Sequence, residues 1–528
     1  MSLGNRYKSE ITNENWDAII IGSGISGLTA GRILADSGQK VLILEKHFKF
    51  GGYTHTFKRN NYEWDVGIHY IGGNLDKKNS FIRRLFDYLS NNNLQWSRMD
   101  DIYDRIVFPD KTYNFVTGKQ LFIEQLISYF PKEENAIRKY IELVNQVFKS
   151  SLSYYSNKAL PGIIGSITYP FMTKPFLRYA ARSTKDVLTE IGCSVELIGV
   201  LTGQWGDYGL PPDQSSFGIQ AMIARHYYEG GYYPIGGSRM IAETIIPGIQ
   251  SKGGKAVLST GVNKILTHKG KAIGVKLDNG DEILSKKVIS SAGVKNTFEV
   301  LLNDESKLLN KSVPVNQVDA STGYYCLHIG LNKSAKDIGL SNANLWVYPG
   351  YDHDENLGNY LSDNKKPYPV VFISFPSAKD PTWDKEHPNS ATIEVITVAE
   401  FARHKKWEET EWKKRGDDYD SLKENVSQSL LESLYKHSPN TKGHVDYYEL
   451  STPLTSRDLA NYKEGELYGI DHTPQRFQQK WLRPETKVKN LFLTGQDIVT
   501  AGVSAAMMSG VITSSAILKK NMMKQFLH

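Results

Sequence analysis

"AIIIGSGISGLTAGRILADSGQKVLILEK", residues 18–46, decides the fold. Ala18 to Ile21 is a short unbroken apolar run, the pattern of a parallel strand covered on both faces. Three glycines follow in G-x-G-x-x-G spacing, Gly22, Gly24 and Gly27, with Ser23 and Ser26 between them. Leu28 to Leu34 then shows helical spacing, and Val41 to Leu44 is a second strand run that closes on Glu45. A glycine triplet alone is a weak signal; strand, turn, helix, strand and acid in register predict a dinucleotide-binding βαβ unit. Gly22 allows the tight turn, Gly24 lets a pyrophosphate approach the main chain at the positive helix end, and Gly27 lets helix and strand pack closely. Glu45 stands 23 residues after Gly22, where a carboxylate accepts from ribose hydroxyls. The expected fold class is therefore α/β, with a Rossmann-like domain on a parallel sheet.

The same turn holds NAD or FAD, so the flanking chain matters. After Glu45 and Lys46 the sequence runs through "KHFKFGGYTHTF", residues 46–57, instead of a second regular crossover. Gly51 and Gly52 let the backbone fold back over a pyrophosphate, with Tyr53, Thr54 and His55 beside it. That suits a long cofactor whose second half extends into the protein, as FAD does. At the far end, "NLFLTGQDIVTAGVSAAMMSG", residues 490–510, reads as a buried strand, then Gly495, Asp497 and a small-residue helix. Asp497 is expected to reach ribityl or phosphate hydroxyls. The helix after Gly502, opening with Val503 and Ser504, is expected to aim its N–H groups at the pyrimidine edge of a flavin.

Bulk properties narrow the class. At 528 residues the chain needs two or three cores. A net charge of +6 spread over 63 basic and 57 acidic residues makes nucleic acid a poor default partner. Two cysteines, Cys193 and Cys326, exclude a disulfide scaffold and a thiolate metal cluster, so no metal is expected, and they fit a reducing, cytoplasmic compartment. The glycine-rich segment 17–35 is too broken for a membrane span, and no cleavable signal or transmembrane helix is expected elsewhere.

Five further stretches sharpen the reading. They are "GGYTHTF" (51–57), "YEWDVGIHYIGG" (62–73), "GQWGDYGLPPDQSSF" (203–217), "YYPIGGSRMIAETIIPGIQSKGG" (232–254) and "YYELSTPLTSRDLANYKEGELYG" (447–469). With both ends of the chain they resemble the FAD-dependent amine oxidase and phytoene desaturase superfamily, in the branch of all-trans-retinol 13,14-reductases and carotenoid isomerases. The resemblance is weak over roughly 75–200 and 296–440. It implies FAD, a long apolar retinoid or carotenoid polyene as substrate, and saturation, isomerisation or desaturation of a carbon–carbon double bond. It also implies adenine contact at the backbone of Val262, and passage of the segment after "WDVG" beside the flavin. His69 and Tyr70 are thereby candidates for proton donor or flavin positioner. Asp207 and Tyr208 in "GDYGLPP" form a second polar pair, read either as closing the cavity, with Tyr208 a third catalytic candidate, or as a structural turn. A distant alternative is a non-catalytic, lipid-binding protein of the Rab GDP-dissociation-inhibitor type.

The expected organisation is discontinuous: residues 1–75, 226–295 and 470–528 for the FAD domain, 76–225 and 296–469 for a mixed α+β substrate domain. There is no second G-x-G-x-x-G, so electrons arrive from a transiently docked carrier or from NAD(P)H entering the same cavity. Residues 402–426 read as one solvated helical face. "YPFMTKPFLRYAARSTKDVL", 169–188, reads as a helix with Lys174, Arg178 and Arg182 in one basic stripe beside Phe171, Phe176, Leu177 and Tyr179, a surface for peripheral contact with the inner face of a membrane. Oligomeric state is not legible.

Overall fold

A computed structural model describes residues 5–302 and 313–527. Ala18–Ile21 and Val41–Leu44 are adjacent parallel strands, paired from Ala18 with Val41 to Ile21 with Leu44. Lys255–Leu258 joins on the Val41–Leu44 side, and Asn5–Arg6 lies outside it. Val288–Ser290 joins on the other side and Leu491–Leu493 follows it, so six parallel strands come from both ends and the middle of the chain. Every residue of the Ala18–Ile21 and Val41–Leu44 strands is buried, which explains their continuous apolar runs.

Two helices sandwich the turn above this sheet. Ile25–Asp36 starts at Gly24, and Val503–Leu518 packs along it. A Cβ on Gly27 would collide with the Gly22 carbonyl oxygen, and one on Gly510 would sit 2.6 Å from the Ser26 carbonyl oxygen. These two glycines set how closely helix, strand and helix approach. The expected helix near 237–252 is Met240–Gln250, and the Asn-Gly hairpin joins Lys271–Leu277 to Glu282–Leu284. Leu85, Phe86 and Leu89 of helix Phe81–Ser90 belong to the same apolar cluster as Ile20, Leu28 and Ile43.

The second sheet is mixed and has seven strands. In order they are Val445–Ser451, Gly323–Leu331, Ala391–Ala399, Val371–Ser374, Asn344–Val347, Ile102–Val107 and Thr112–Val116. All pairs are antiparallel except Asn344–Val347 with Ile102–Val107. Long helices, Glu134–Ala159 and Gly162–Ala180 among them, build an aromatic-rich core beside it.

Two helical expectations need correction. Residues 402–426 are not one helix: Phe401–Trp407 is a 3-10 turn and Asp417–His437 a separate helix, entered through Gly416 at φ +85° with Asp417, Asp418 and Asp420 in its first turn. That acidic cluster favours a helix start, because it faces the positive end of the helix dipole. The basic stripe is shorter than expected as well. Helix Gly162–Ala180 ends before Arg182, which pairs with Glu190 at 2.5 Å, while Ser183 caps a new helix, Thr184–Glu190, by accepting from the Asp186 N–H. Lys174 and Arg178 remain on one helix, and Phe176 is buried.

Candidate functional site

One cavity of about 1610 Å³ runs from the glycine turn into the space between the two sheets. Single small-molecule pockets occupy about 300–1,000 Å³, so there is room for a long cofactor and a second molecule. Gly22, Gly24 and Ser26 line one end, with Glu45, Lys46, Gly51, Gly52, Tyr53, Thr54, His55 and Val262 around them. Gly495, Val503 and Ser504 line the wall facing that end.

The glycine pair does fold back over the turn. Gly51 forms an isolated parallel bridge with Gly24, and a Cβ on Gly52, which sits at φ +56°, would lie 3.2 Å from the Gly24 Cα. Ser23 and Gly27 serve from behind. The Glu45 carboxylate accepts from the Ser23 N–H and hydroxyl at 2.8 and 2.6 Å and from the His47 N–H at 2.8 Å, while the Ser23 hydroxyl accepts from the Gly51 N–H. Ser23 thus ties the turn, the acid and the glycine pair into one rigid cradle. His55 Nδ1 lies 2.5 Å from the Gly52 carbonyl oxygen, and burial pushes the imidazole down to about 4, so it stands neutral.

Among the described residues two buried hydroxyls on this cavity lack a well-formed hydrogen bond, Tyr53 Oη, which has only Ser456 within reach, and Ser504 Oγ. An unpaired buried hydroxyl is costly, and the price falls when a ligand supplies the missing bond. Ser504 is the second residue of helix Val503–Leu518, whose N-terminal N–H groups face the same space. Glycines with no Cβ at the turn, a hydroxyl on Tyr53 beside the glycine pair and another on Ser504 in the facing wall fit a flavin dinucleotide.

Asp497 does not play its expected part. Its carboxylate is buried behind the wall, accepting from the Val294 N–H at 2.7 Å and the Ile470 N–H at 3.0 Å, and it does not line the cavity. Its job is to fasten the loop before helix Val503–Leu518 to two other segments. The neighbouring Gln496 faces the cavity, donating to Tyr462 Oη and the Leu467 carbonyl. A motif read by position alone misses such a one-residue offset.

Beyond the cradle the walls turn apolar and aromatic, with Tyr155, Ile223, Tyr324, Trp346 and Phe372 among them. His69 stands in this wall. Its Nδ1 is 2.8 Å from the fully buried Glu394 carboxylate, which also faces His328 at 3.4 Å. Burial alone would raise the Glu394 carboxyl, but the adjacent His69 and His328 hold it down at about 2. Cys326, His328 and Glu394 bring one ligand-type atom each within 4.8 Å of one another, and the carboxylate is already engaged by the two imidazoles.

Tyr70 and Tyr208 need correction as proton donors. The Tyr70 ring lines the cavity and stacks on Tyr227 at 4.5 Å, but its hydroxyl turns inward and donates to Asp104 at 2.8 Å. Tyr208 does not line the cavity: it is fully buried and donates to Gln220 at 2.7 Å. Burial, with Asp104 and Asp207 next to Tyr70, pushes that phenol far above its ordinary range, and Tyr208 is raised mainly by burial too. Asp207, the other half of the pair, does face the cavity. Burial and the charge of Asp104 hold its carboxyl well above the usual carboxylate range.

Behind Tyr70 lies a polar cluster missed in the sequence. Asp104 accepts from Tyr70, from Gln204 at 2.7 Å and from Asn344 at 2.9 Å. Lys379, also buried, donates to the His69 carbonyl at 2.9 Å, Asn344 Oδ1 at 2.5 Å and Ser374 Oγ at 2.6 Å. Burial pulls the Lys379 amine down to about 7 against the pull of Asp104, Glu394 and Asp65. Burial likewise lifts Asp104 to about 6 despite its three donors.

Comparison with known proteins follows this geometry. The family described as flavin containing amine oxidoreductase matches residues 25–518. All-trans-retinol 13,14-reductase of Danio rerio is 34% identical over 533 residues, covering 96% of this chain and 87% of the relative. Prolycopene isomerase 1 of Oncidium hybrid cultivar, a chloroplastic protein, is 27% identical over 529 residues, covering 96% and 84%. Among solved structures, wild-type putrescine oxidase bound to putrescine superposes with a TM-score of 0.61 at 15% identity, over 96% of this chain and all of that one, a likeness of fold.

Proposed function

The chain belongs to the flavin-containing amine oxidoreductase family, and from that premise we propose that it reduces a carbon–carbon double bond of a retinoid or carotenoid polyene. The observation that carries this reading is the apolar, aromatic-walled extension of the nucleotide cavity. A rod-like hydrocarbon fits such a space; a small charged amine does not exploit it. The relation to a retinol 13,14-reductase over nearly the whole chain points the same way, and isomerisation of a polyene is the second reading, favoured by the prolycopene isomerase relative.

FAD would be held by Gly22, Gly24, Ser26, Glu45, Gly51, Gly52 and the backbone at Val262 on its adenosine diphosphate half. Gly495, Gln496 and the start of helix Val503–Leu518 would hold its ring half. When bound and reduced, the flavin supplies a hydride. The protein's part is to exclude water, align the polyene along aromatic faces and place a proton. Glu394 fixes the His69 imidazole in the wall as a positioning group for the ring edge or substrate. The pathway by which electrons reach the flavin is a docked carrier or NAD(P)H in the shared cavity, since no second glycine fingerprint is present.

Substrate entry from a lipid phase is part of the proposal. Ile163, Ile167 and Phe171 are 80%, 67% and 81% exposed along one helix, Leu152 beside the cavity is also exposed, and Lys174 and Arg178 follow on the same helix. Apolar residues next to basic ones suit an anionic membrane surface. Among the described residues no helix is long and apolar enough to cross a membrane. Vesicle flotation should fall on Ile167→Asp with Phe171→Asp; unchanged binding would remove membrane docking.

The function is tested by anaerobic incubation of the dithionite-reduced holoprotein with all-trans-retinol and a carotenoid panel, read by mass and retention time. Gain of one hydrogen pair with flavin reoxidation supports saturation. A shifted isomer of unchanged mass supports isomerisation. A colourless protein that takes up no FAD refutes both.

A further inference from the structure

Three buried carboxyl groups, Glu394, Asp65 and Asp104, lie behind residues that wall the cavity, and a fourth, the half-buried Asp207, lines it. Glu394 has two imidazoles against it. Asp65 accepts from Tyr233 and from the Ser238 N–H. Asp104 takes three hydrogen bonds, with Lys379 one residue beyond. Among the described residues Asp207 faces no cation: the Tyr70 hydroxyl stands 3.5 Å away, the Tyr227 phenol is within hydrogen-bonding reach, and the remaining groups are the Tyr324 phenol and the second carboxyl, Asp104. A carboxylate in that setting has nothing to balance its charge, so the group is a neutral acid. Asp207 also keeps accessible surface, and that surface is the cavity wall.

The turn that carries it is built to hold still. Asp207 closes the 3-10 turn Trp205–Asp207, whose Gly206 carbonyl accepts from Tyr324 at 3.1 Å and from Tyr468 at 2.8 Å. A Cβ on Gly206 would lie 2.6 Å from the Trp346 ring, so glycine is needed for the turn to press against that wall. On the far side the Tyr70 hydroxyl lies between the two acids, 2.8 Å from Asp104 and 3.5 Å from Asp207, and Gln204 donates to the Tyr70 oxygen and to Asp104. Two acids bridged by one phenol, with an amide clamp, form a short hydrogen-bonded file leading from the buried Lys379 cluster to the cavity.

We propose that Asp207 is the proton donor to the polyene double bond, and that Asp104 returns the proton through the Tyr70 hydroxyl. The inference rests on the polyene-reductase reading above. In the step, the Asp207 O–H bond breaks and a C–H bond forms at one carbon as the π bond opens. A bound, reduced flavin would supply a hydride with its electron pair to the other carbon, so that one hydrogen pair is gained and the flavin is oxidised. Asp207 is left as a carboxylate. Between turnovers Asp104, an acceptor at rest, takes up one solvent proton; the Tyr70 proton then moves to Asp207 while the Asp104 proton moves to Tyr70, so the phenol and Asp104 both return to their starting state and the net supply is one solvent proton. The turn thus works as an acid that needs no bulk water inside an oily tunnel.

The test uses Asp207→Asn, which keeps shape and removes the acid, and Tyr70→Phe, which keeps the wall and breaks the file. Both are prepared as holoenzyme with bound flavin confirmed by absorbance, and Asp207→Asn is compared with the unsubstituted apoprotein by infrared difference spectroscopy. The expected result for Asp207→Asn is loss of the protonated-carboxyl band and a slowing of single-turnover flavin reoxidation by polyene of about 10²–10⁴-fold, the range of general acid catalysis. Polyene binding, measured by quenching of protein fluorescence, should hold within a few-fold. Tyr70→Phe should keep the first turnover and slow later ones. Single-turnover reoxidation at the unsubstituted rate in Asp207→Asn, or a carboxyl band that survives the change, overturns the proposal. Failure of the unsubstituted enzyme to convert any polyene overturns the parent reading instead, and the infrared comparison then still shows whether Asp207 carries a proton.

Discussion

Replacing Glu394 with glutamine tests the electrostatics of the cavity wall. The carboxylate is fully buried, 2.8 Å from His69 and 3.4 Å from His328, and Glu394→Gln preserves its size while deleting its charge. Breaking a buried pair by removing one partner costs about 3–5 kcal/mol, because the groups left behind stay buried without their partner. An independent route gives a similar figure. Its carboxyl falls from an ordinary 4.5 to about 2, which at 1.36 kcal/mol per unit is worth about 3 kcal/mol. The sign follows from a lowered native-state value. The stabilisation is fully present above the unfolded-state value of 4.5 and is lost as pH falls through that value towards about 2. Urea unfolding followed by tryptophan fluorescence should therefore show the variant weaker by about 3 kcal/mol near neutrality, with the gap closing on acidification through that window. A gap below about 1 kcal/mol at neutral pH, or one that widens in acid, would refute the reasoning. The double variant with His69→Gln should lose less than the two single losses combined, since each single change strands the other partner.

Three other outcomes follow from the geometry. Gly52→Ala places a Cβ 3.2 Å from the Gly24 Cα at a left-handed φ, a strain of about 1–2 kcal/mol, so flavin affinity measured by fluorescence quenching should weaken roughly tenfold; full affinity would show that the glycine pair does not roof the pyrophosphate. Tyr208→Phe strands the Gln220 acceptor and should lower stability by about 1–2 kcal/mol while leaving turnover unchanged, and a large loss of turnover would return Tyr208 to the chemistry. Asp497→Ala removes the acceptor for two backbone amides and should lower the melting temperature by several degrees with little change in flavin affinity at a permissive temperature. The opposite pattern, intact stability with lost flavin, would restore it as a direct ligand.

What could be read from the sequence, and what could not, divides along physical lines. The cofactor sheet was legible because parallel strands buried on both faces leave continuous apolar runs, as at Ala18–Ile21 and Val288–Ser290, and because its turn needs glycine at fixed offsets. Glu394 was not legible. It interrupts the strand Ala391–Ala399 as a lone charge, which looks like a solvent-facing position, and its justification comes from His69 and His328, which lie 325 and 66 residues away in the chain. The Asp104–Tyr70–Asp207 file draws on three separate segments for the same reason. Local signals for the helix breaks were present and overlooked: Ser183 three residues before Asp186, and Gly416 before paired aspartates. Asp497 shows the limit of motif position, since loop side chains follow no period that could tell it from Gln496.

The six-stranded sheet has a consequence for biosynthesis. Val288–Ser290 waits for its outer neighbour until Leu491–Leu493 is made, and helix Ile25–Asp36 waits longer still for the helix beginning at Val503. At about 5–20 residues per second, helix Ile25–Asp36 spends on the order of half a minute to a minute and a half before its partner helix exists. The cradle for the dinucleotide is therefore incomplete until Val503–Leu518 has been made, and flavin capture is a step that follows synthesis of that helix.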